Sequence, residues 1–370
     1  MGAYTTINDP SKHFQVFTYT GNGSHPRNLT NDGNSDLKPD LIWTKNLSDN
    51  GTNHVLANST MGFDAPNAPG SGGQLATDSS GGVNTPNATY GYVSAALTDG
   101  FTAAAGGTNG DTCNANAKEF VAWQWKANGG TTSSNTDGNI TATVQANQSA
   151  GFSIVFYTGN GTQTGKTVGH GLGAVPKMII SKDRDGSSNV ATWRVYHQDI
   201  GNTKYLQMPQ NDAAATYNDW DNTSPTSSVY SVGGAGGYTP TNSNNTEYIA
   251  YVFAEVQGFS KIGRYTGNNN ADGPYVYCGF KPAWIMVKKT SATGDWRCWD
   301  HRRIENGLTR RIRLNATDDQ DSGYDHLEIK SDGFKLRSTS SSSNSSGDFI
   351  FLAFAENPFV TGTGVPTTAN

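Results

Sequence analysis

Apolar residues occur in short runs along the whole chain, and turn-forming residues bound each run. The runs cover residues 14–19, 41–43, 154–157, 178–180, 248–253, 285–287 and 349–354. Glycine, asparagine, aspartate or proline lies close to most of them and supplies the backbone conformations that tight turns need. No window longer than about ten residues keeps the period of a helix, so the pattern predicts an all-β protein with few or no helices.

The same sequence phrases occur three times. The opening phrase ends in Tyr-Thr-Gly-Asn, beginning at Tyr19, Tyr157 and Tyr265. A second phrase, which ends in a lysine, occupies residues 38–45, 175–182 and 281–288, and an aromatic-rich third phrase occupies residues 120–127, 248–255 and 349–356. These spacings are far longer than the roughly 20–50 residues of solenoid or propeller repeats. The sequence therefore predicts three homologous modules in tandem.

Composition indicates what kind of module this is. The chain is 34% hydrophobic and 15% charged, with 44 glycines, and lacks the leucine, alanine, glutamate and lysine richness of helical proteins. We therefore expect three tandem jelly-roll or lectin-like β-sandwich modules, each with its opening and closing strands paired in the centre of one sheet. The predicted boundaries are 1–128 for module 1, 150–256 for module 2 and 258–358 for module 3, with a polar linker at 129–149 and a C-terminal tail at 359–370. The linker is expected to be a flexible tether, whereas modules 2 and 3 are expected to form a rigid pair because very few residues join them.

Several functional classes are disfavoured by the sequence. No apolar run approaches the roughly 18 residues that span a membrane, so no membrane insertion is expected. The net charge of -5 offers no electrostatic basis for binding nucleic acid. The N-terminal residues lack the basic and apolar regions of a secretory signal, and three cysteines are too few for a disulfide framework. These features predict a protein made in a reducing cytoplasm.

The sequence contains no recognisable catalytic constellation. The histidines show no metalloprotease spacing, and no nucleophile elbow is present. Glu255 and Glu356 occupy the same repeat position at the end of the third phrase, where a structural hydrogen-bond acceptor is a simpler interpretation than an acid catalyst. We therefore predict that the protein is not an enzyme, with a polysaccharide depolymerase as an open alternative.

One pair of acidic residues has the spacing of a calcium loop. Asp183 and Asp185 lie two residues apart, so that both carboxylates could face one ion from an extended loop. The alternative interpretation is a turn with solvated acids. No cofactor is expected beyond this calcium site.

Aromatic residues in polar surroundings point to carbohydrate binding. Sugars stack on aromatic rings and accept hydrogen bonds from loops at one end of a sandwich. The aromatic residues in such surroundings are Trp193, Tyr196, Tyr217, Trp220, Tyr230, Tyr238, Trp296, Trp299 and Tyr324. Trp193 and Trp296 occupy matching repeat positions and are expected in the core, whereas Tyr217, Trp220, Tyr238 and Trp299 are the candidate ligand-binding residues.

Long phrases of this chain resemble a known group of viral proteins. They are Tyr-Thr-Gly-Asn-Gly, the segments 127–138, 168–176 and 249–260, and the ending 354–360. Together they are similar to a family of repeated, tail-fibre-like β-sandwich proteins encoded by tailed, mainly marine, bacteriophages. The resemblance implies a non-enzymatic structural protein on the virion surface, assembled in the host cytoplasm, and it implies no catalytic residues.

The position on the virion is left open between two alternatives. A tail-fibre or tail-tip protein would recognise the host through a cell-surface glycan or another receptor, whereas a decoration protein or head appendage would bind the capsid. In both cases the expected partners are other phage virion proteins. Homotrimers are expected, because weak single-site contacts on a virion are multiplied by avidity.

Overall fold

The computed structural model describes residues 4–63, 73–83, 89–107, 112–186, 193–305, 307–321 and 326–367. Across these ranges the chain is built from β-strands, and the only helix is a single 3-10 turn at Pro10–Lys12. The prediction of an all-β fold is therefore confirmed. Each predicted module contributes one sheet that holds the opening and closing strands, which we call the inner sheet, and one further sheet, which we call the outer sheet.

The described part of module 1 has seven strands. They are β1 (Phe14–Thr20), β2 (Arg27–Leu29), β3 (Leu41–Asn46), β4 (Val55–Asn58), β5 (Tyr92–Ala96), β6 (Phe101–Ala104) and β7 (Glu119–Trp125). The inner sheet has the order β1-β7-β3-β4, and the outer sheet has the order β2-β6-β5.

Outside residues 187–192, which the structure does not describe, module 2 has ten strands. They are β8 (Ser133–Asn135), β9 (Ala142–Asn147), β10 (Phe152–Thr158), β11 (Lys166–Gly169), β12 (Met178–Asp183), β13 (Trp193–His197), β14 (Lys204–Gln207), β15 (Ala215–Thr216), β16 (Val229–Val232) and β17 (Glu247–Phe253). The inner sheet has the order β15-β14-β13-β12-β17-β10-β9-β8, and the outer sheet is the pair β11-β16.

Module 3 also has ten strands among its described residues. They are β18 (Ser260–Gly267), β19 (Tyr275–Tyr277), β20 (Phe280–Lys289), β21 (Arg297–Asp300), β22 (Ile304–Glu305), β23 (Leu308–Thr309), β24 (Ile312–Arg313), β25 (Leu327–Lys330), β26 (Gly333–Leu336) and β27 (Gly347–Pro358). The inner sheet has the order β18-β27-β20-β21-β24, and the outer sheet has the order β19-β26-β25-β23-β22.

The opening and closing strands pair along their length in every module. The closing strand lies inside its inner sheet and is almost wholly buried, whereas β1 and β18 lie at sheet edges. The tyrosine of each opening phrase stacks on the aromatic residue opposite it, with ring centroids 5.0–5.2 Å apart in the pairs Tyr19–Phe120, Tyr157–Tyr248 and Tyr265–Phe349. Two-sided burial explains the nearly continuous apolar runs of the closing strands.

The repeated Tyr-Thr-Gly-Asn phrase forms the same hydrogen-bonded lock in each module. The tyrosine hydroxyl donates to the backbone carbonyl just before a buried asparagine, and that asparagine donates in turn to the asparagine of the phrase. The asparagine pairs are Asn114–Asn22 at 3.0 Å, Asn242–Asn160 at 2.9 Å and Asn344–Asn268 at 3.1 Å. The phrase thus fastens the end of the opening strand to the loop that leads into the closing strand.

The glycine of this phrase is needed because two backbone segments nearly touch there. A Cβ at Gly21 would stand 1.9 Å from the carbonyl oxygen of Ala115, and one at Gly159 would stand 2.3 Å from that of Ser243. Only glycine allows so close an approach without moving the backbone. The repeat is therefore explained by packing rather than by ligand binding.

The three inner sheets share one hydrophobic core. Their buried residues form a single cluster that includes Trp43 and Trp123 of module 1, Trp193 of module 2, and Trp284 of module 3. Each inner sheet thus turns one face to the centre of the molecule and the other to its own outer sheet, so module 1 packs against the other two modules.

The modules contact one another in a closed cycle, in which module 2 bonds to module 1, module 3 to module 2, and module 1 to module 3. Lys182 stands opposite Trp193 in the pairing of β12 with β13, whereas the pairing of β3 with β4 ends at Thr44 opposite Val55 and that of β20 with β21 ends at Val287 opposite Arg297. The indole N–H of Trp193 in module 2 donates to the carbonyl of Ala76 in module 1 at 2.9 Å, and that of Trp296 in module 3 donates to Gln207 in module 2 at 2.8 Å. His54 of module 1 closes the cycle, because its Nε2 lies 2.9 Å from the carbonyl oxygen of Arg313 in module 3.

Three buried lysines follow the same cycle. Lys45 Nζ donates to Thr52 within module 1 at 2.8 Å and to the carbonyl of Thr317 in module 3 at 3.4 Å. Lys182 donates to Ser80 of module 1 at 3.1 Å, and Lys288 donates to Asp212 of module 2 at 2.7 Å. The lysine that ends each second phrase therefore joins two modules through backbone carbonyls.

The polar segment 129–149 is not a flexible tether. It contains β8 and β9, and β9 pairs with β10 over six residues from Asn147 opposite Phe152 to Ala142 opposite Tyr157. The segment therefore extends the inner sheet of module 2. Its polarity misled the prediction, because a strand at the edge of a sheet needs few apolar side chains. The jelly-roll connectivity stays a prediction.

Candidate functional site

Two of the four predicted ligand-binding residues lie in the core. Trp220 is 1% exposed and packs edge-on against Tyr196 at 5.8 Å between the sheets of module 2. Trp299 is fully buried in β21 of module 3. A buried indole cannot stack on a sugar from solvent, so the prediction for these two residues is wrong. Tyr324 lies outside the described residues.

The other two predicted residues meet at the surface of module 2. Tyr217 and Tyr238 are both half-buried, and their rings lie 5.5 Å apart at an angle of 74°. The hydroxyl of Tyr217 donates to the carbonyls of Ala235 at 2.6 Å and Tyr238 at 3.1 Å. These bonds hold the Tyr217 ring against a tight hairpin, in which Ala235 and Tyr238 form a bridge.

A buried arginine contacts Tyr238 and a third tyrosine, Tyr205. Arg194, on β13, donates from Nη2 to the Tyr238 hydroxyl at 2.8 Å, and its guanidinium carbon lies 4.1 Å from the ring centre of Tyr205. A guanidinium has no acceptor, so the phenol oxygen must accept this bond and its own proton stays available for a ligand. We call Tyr205, Tyr217, Tyr238 and Arg194 the tyrosine cluster.

The charge of Arg194 is balanced inside the protein. Asp219 is fully buried, and its Oδ2 lies 3.5 Å from Arg194 Nη1. Burial raises the pKa of Asp219 to about 6, although the charge of Arg194 acts in the opposite direction. The cluster therefore offers a solvent-facing pair of aromatic rings on a neutral base, which suits an uncharged polyhydroxylated ligand better than an anion.

Sequence reasoning missed Arg194, Tyr205 and Asp219. Arg194 follows the buried Trp193, and nothing in the residue pattern showed that Asp219, a distant residue in the chain, would lie beside it. Such a pair arises only from tertiary packing.

The aspartates of the predicted calcium loop serve a turn. Asp183 Oδ1 accepts hydrogen bonds from the backbone amides of Asp185 at 2.8 Å and Gly186 at 3.1 Å. Asp185 Oδ2 accepts from the amide of Glu247 at 3.2 Å. No group of three or more histidine, cysteine or acidic side chains within the described ranges could hold a metal ion. The geometry supports the alternative interpretation of a turn.

The repeated glutamates are engaged by lysines. Glu255 lies 3.1 Å from Lys177 and 3.0 Å from Lys261, and its other interactions include the amide of Ile262 at 3.1 Å. Glu356 lies 3.1 Å from Lys281. Glu255 therefore joins modules 2 and 3, and Glu356 pairs with a lysine within module 3.

Most of the chain matches a known family model. Residues 9–358 match the model of a family described as a domain of unknown function, DUF7483. No curated protein and no solved structure matches the chain. In the described part of the chain, no helix is long and apolar enough to cross a membrane. Since the match runs through all three modules, the chain belongs to the DUF7483 family.

Proposed function

We propose that this protein is a non-enzymatic structural component of a bacteriophage virion, of the tail-fibre or tail-tip type, and that it recognises a host-surface glycan or receptor. The sequence phrases shared with tail-fibre-like phage proteins support the virion assignment. The tyrosine cluster supports recognition, because Tyr217 and Tyr238 present two supported, half-exposed rings to solvent.

The two half-exposed tyrosines of the cluster are not repeated in module 3. Tyr217 and Tyr238 flank β16, and the residue that precedes Asn344 by four positions, as Tyr238 precedes Asn242, is Ser340. The repeated phrases form the core that the modules share. We therefore expect the residues that bind a ligand in segments where the modules differ. Binding residues on loops held by a rigid sheet fit this division.

The placement of the glutamates favours a protein without turnover. Hydrolysis of a polysaccharide requires two carboxyl groups about 5 to 10 Å apart on an accessible cleft floor. Glu255 is bonded to two lysines and a backbone amide, and Glu356 is bonded to a lysine of its own module. These partners give both carboxylates a structural role, so their repeated position in the sequence does not require a catalytic one.

Binding to host cells tests the proposal. We expect the purified protein to bind cells of the phage host and to reduce phage adsorption. Tyr217→Ala combined with Tyr238→Ala should weaken binding by about 1–3 kcal/mol, the usual cost of removing aromatic binding residues. Tyr90→Ala, which changes a 53% exposed tyrosine of module 1, is the matched control and should bind normally.

Two results would overturn the proposal. Binding to emptied heads with no effect on adsorption would identify a capsid decoration protein. Release of new reducing ends from host polysaccharide, abolished by Glu255→Gln or Glu356→Gln, would identify a depolymerase. Light scattering of the purified protein would test the predicted homotrimer separately.

A further inference from the structure

An exposed pair of tyrosines lies on the outer sheet of module 3. Tyr275 is 46% exposed and Tyr277 is 54% exposed, whereas Val276 between them is 7% exposed. Alternate residues of a strand point to opposite faces of the sheet. Both rings of β19 therefore stand on the solvent face, about 7 Å apart along the strand at the usual rise per residue.

The neighbouring strand leaves room for these rings. Tyr277 stands opposite Gly333 of β26, and Tyr275 stands opposite Lys335. A Cβ on Gly333 would lie 3.1 Å from the Tyr275 hydroxyl and 2.1 Å from the carbonyl oxygen of Val276. The glycine therefore permits the Tyr275 side chain to lie across β26.

Phenol hydroxyls and one carboxylate converge beside the rings. The Tyr275 hydroxyl donates to Asp332, and the Tyr4 hydroxyl donates to the carbonyl of Gly279 at 2.8 Å. A Cβ on Gly279 would lie 2.7 Å from the Tyr4 oxygen and 3.5 Å from the Tyr277 oxygen, so both hydroxyls border this glycine. We call Tyr4, Tyr275, Tyr277 and Asp332 the tyrosine platform.

The platform is held in place by the backbone. The amides of Cys278 at 2.8 Å and Gly279 at 2.9 Å both donate to the carbonyl of Asp332. This pair of bonds ties the end of β19 to the start of β26. A ligand would therefore find the rings and the carboxylate already arranged, which lowers the entropy cost of binding.

The charges around the platform compensate one another. Asp272 lies 2.7 Å from Lys335 and 2.9 Å from Arg337, and Glu328 lies 2.7 Å from Arg337 and also contacts Lys330. With its cations paired in this way, the surface offers no unbalanced positive charge to an anion. Aromatic faces with hydroxyl and carboxylate hydrogen-bonding groups match the apolar faces and hydroxyls of a neutral sugar.

We propose that the tyrosine platform is a second binding site, which takes a neutral saccharide chain. Two rings along one strand would support adjacent parts of the chain, and Asp332 would accept a hydrogen bond from a sugar hydroxyl. This inference deepens the proposed function by naming a second site and the ligand class, but it concerns sugar binding alone and does not require a virion role.

Calorimetric titration of the full chain with pure oligosaccharides tests the proposal. The probes are cellohexaose, mannohexaose, xylohexaose, maltohexaose and chitohexaose, with an alginate hexasaccharide as the anionic comparison. We expect saturable binding of at least one neutral probe. Tyr277→Ala and Tyr275→Ala should each weaken that binding by about tenfold or more.

Matched variants separate this platform from the other aromatic surfaces. Tyr90→Ala changes an exposed tyrosine of module 1, and Tyr217→Ala changes the tyrosine cluster; neither should remove the platform's binding event. Because Tyr275 and Tyr277 are exposed, their alanine variants should keep the wild-type circular dichroism spectrum, and that spectrum is recorded for each variant.

Several results would overturn the proposal. They are failure of every neutral probe to bind, binding of the alginate probe alone, and binding unaffected by both platform variants. Self-association that Tyr277→Ala abolishes would assign the face to a second copy of the chain. Host-cell adsorption is measured separately. If the protein has no virion role, the titration still tests sugar binding by the platform, and if no sugar binds, the adsorption assay still tests the virion role.

Discussion

The inner and outer sheets of this protein differ in how closely the three modules resemble one another. Each inner sheet has the same paired opening and closing strands and makes the same kind of contact with a neighbouring module. Within the ranges that the structure describes, the outer sheets have three, two and five strands. The comparison teaches that the repeated sequence serves the common core, whereas the segments that differ carry the exposed aromatic groups.

The largest expected effect is a loss of stability when a buried tryptophan is removed, either Trp193 in the core that the three modules share or Trp220 between the two sheets of module 2. Trp193→Ala and Trp220→Ala each remove a buried indole and should each lower the free energy of unfolding by about 3–5 kcal/mol. Trp193 also bonds to Ala76 of module 1, so its loss should raise amide hydrogen exchange in modules 1 and 2 together. The loss of Trp220 should raise exchange in module 2.

Hydrogen exchange followed by mass spectrometry measures this difference, and urea unfolding gives the free energies. If exchange after Trp193→Ala rises in module 2 alone, the three inner sheets do not form one cooperative core.

A smaller effect concerns the buried lysines of the inner sheets. Burial lowers the pKa of Lys45 to about 8, although three nearby aspartates act in the opposite direction. Between pH 8 and 10.5 the unfolded chain keeps the Lys45 proton and the folded chain loses it, so the free energy of unfolding rises with pH. Across that window the rise amounts to roughly 3 kcal/mol.

Lys45→Met should remove this rise. The test compares urea unfolding of the wild type and the variant at several pH values, and their difference cancels the titration of the cysteines and tyrosines that both proteins share. Parallel stability curves for the two proteins would show that Lys45 does not titrate in this window.

The smallest expected effect concerns a position where the inner repeat itself varies. In module 1, His54 makes the intermodule contact that Trp193 and Trp296 make in the other modules. Its Nδ1 accepts a hydrogen bond from the Trp43 indole at 3.0 Å, and its Nε2 donates to the carbonyl of Arg313 at 2.9 Å. Burial lowers the pKa of His54 well below its usual value. The neutral imidazole fits these partners, whereas a protonated ring would direct two N–H groups at each other.

The contribution of His54 to stability is therefore present above pH 6.5 and is lost as the pH falls below it, because the unfolded histidine then takes up a proton. The expected loss is about 1.4 kcal/mol per pH unit. Urea unfolding at pH 7 and pH 5 measures it, and His54→Gln should reduce the difference by about 2 kcal/mol, which is the loss over the roughly 1.5 pH units below 6.5. His197→Gln should reduce the difference as well, since burial lowers the pKa of His197 to about 4. His25→Gln, which changes an exposed histidine, is the control. An unchanged acid dependence in His54→Gln would contradict the assignment.

Residue patterns predicted the strands better than they predicted exposure. The paired phrases around Tyr19, Tyr157 and Tyr265 form the opening strands, and Trp193 and Trp296 are buried as expected from their matching positions. Trp220 was expected at the surface because its neighbours are polar, but polar neighbours on a loop do not decide which way a large ring turns. The strict alternation in Tyr275-Val276-Tyr277 was the one local signal for an exposed pair, because period two separates the faces of a strand.

The sequence by itself determined the all-β class, the three repeats and the strands that open and close each of them, since these depend on residues that are close together or regularly repeated. Tertiary structure alone decided that the modules share one core, that residues 129–149 add strands to module 2, and which aromatic rings reach solvent. The physical reason is that burial depends on which surfaces pack together. Contacts such as Arg194 with Asp219, or His54 with Arg313, join residues far apart in the chain, and no local pattern encodes them.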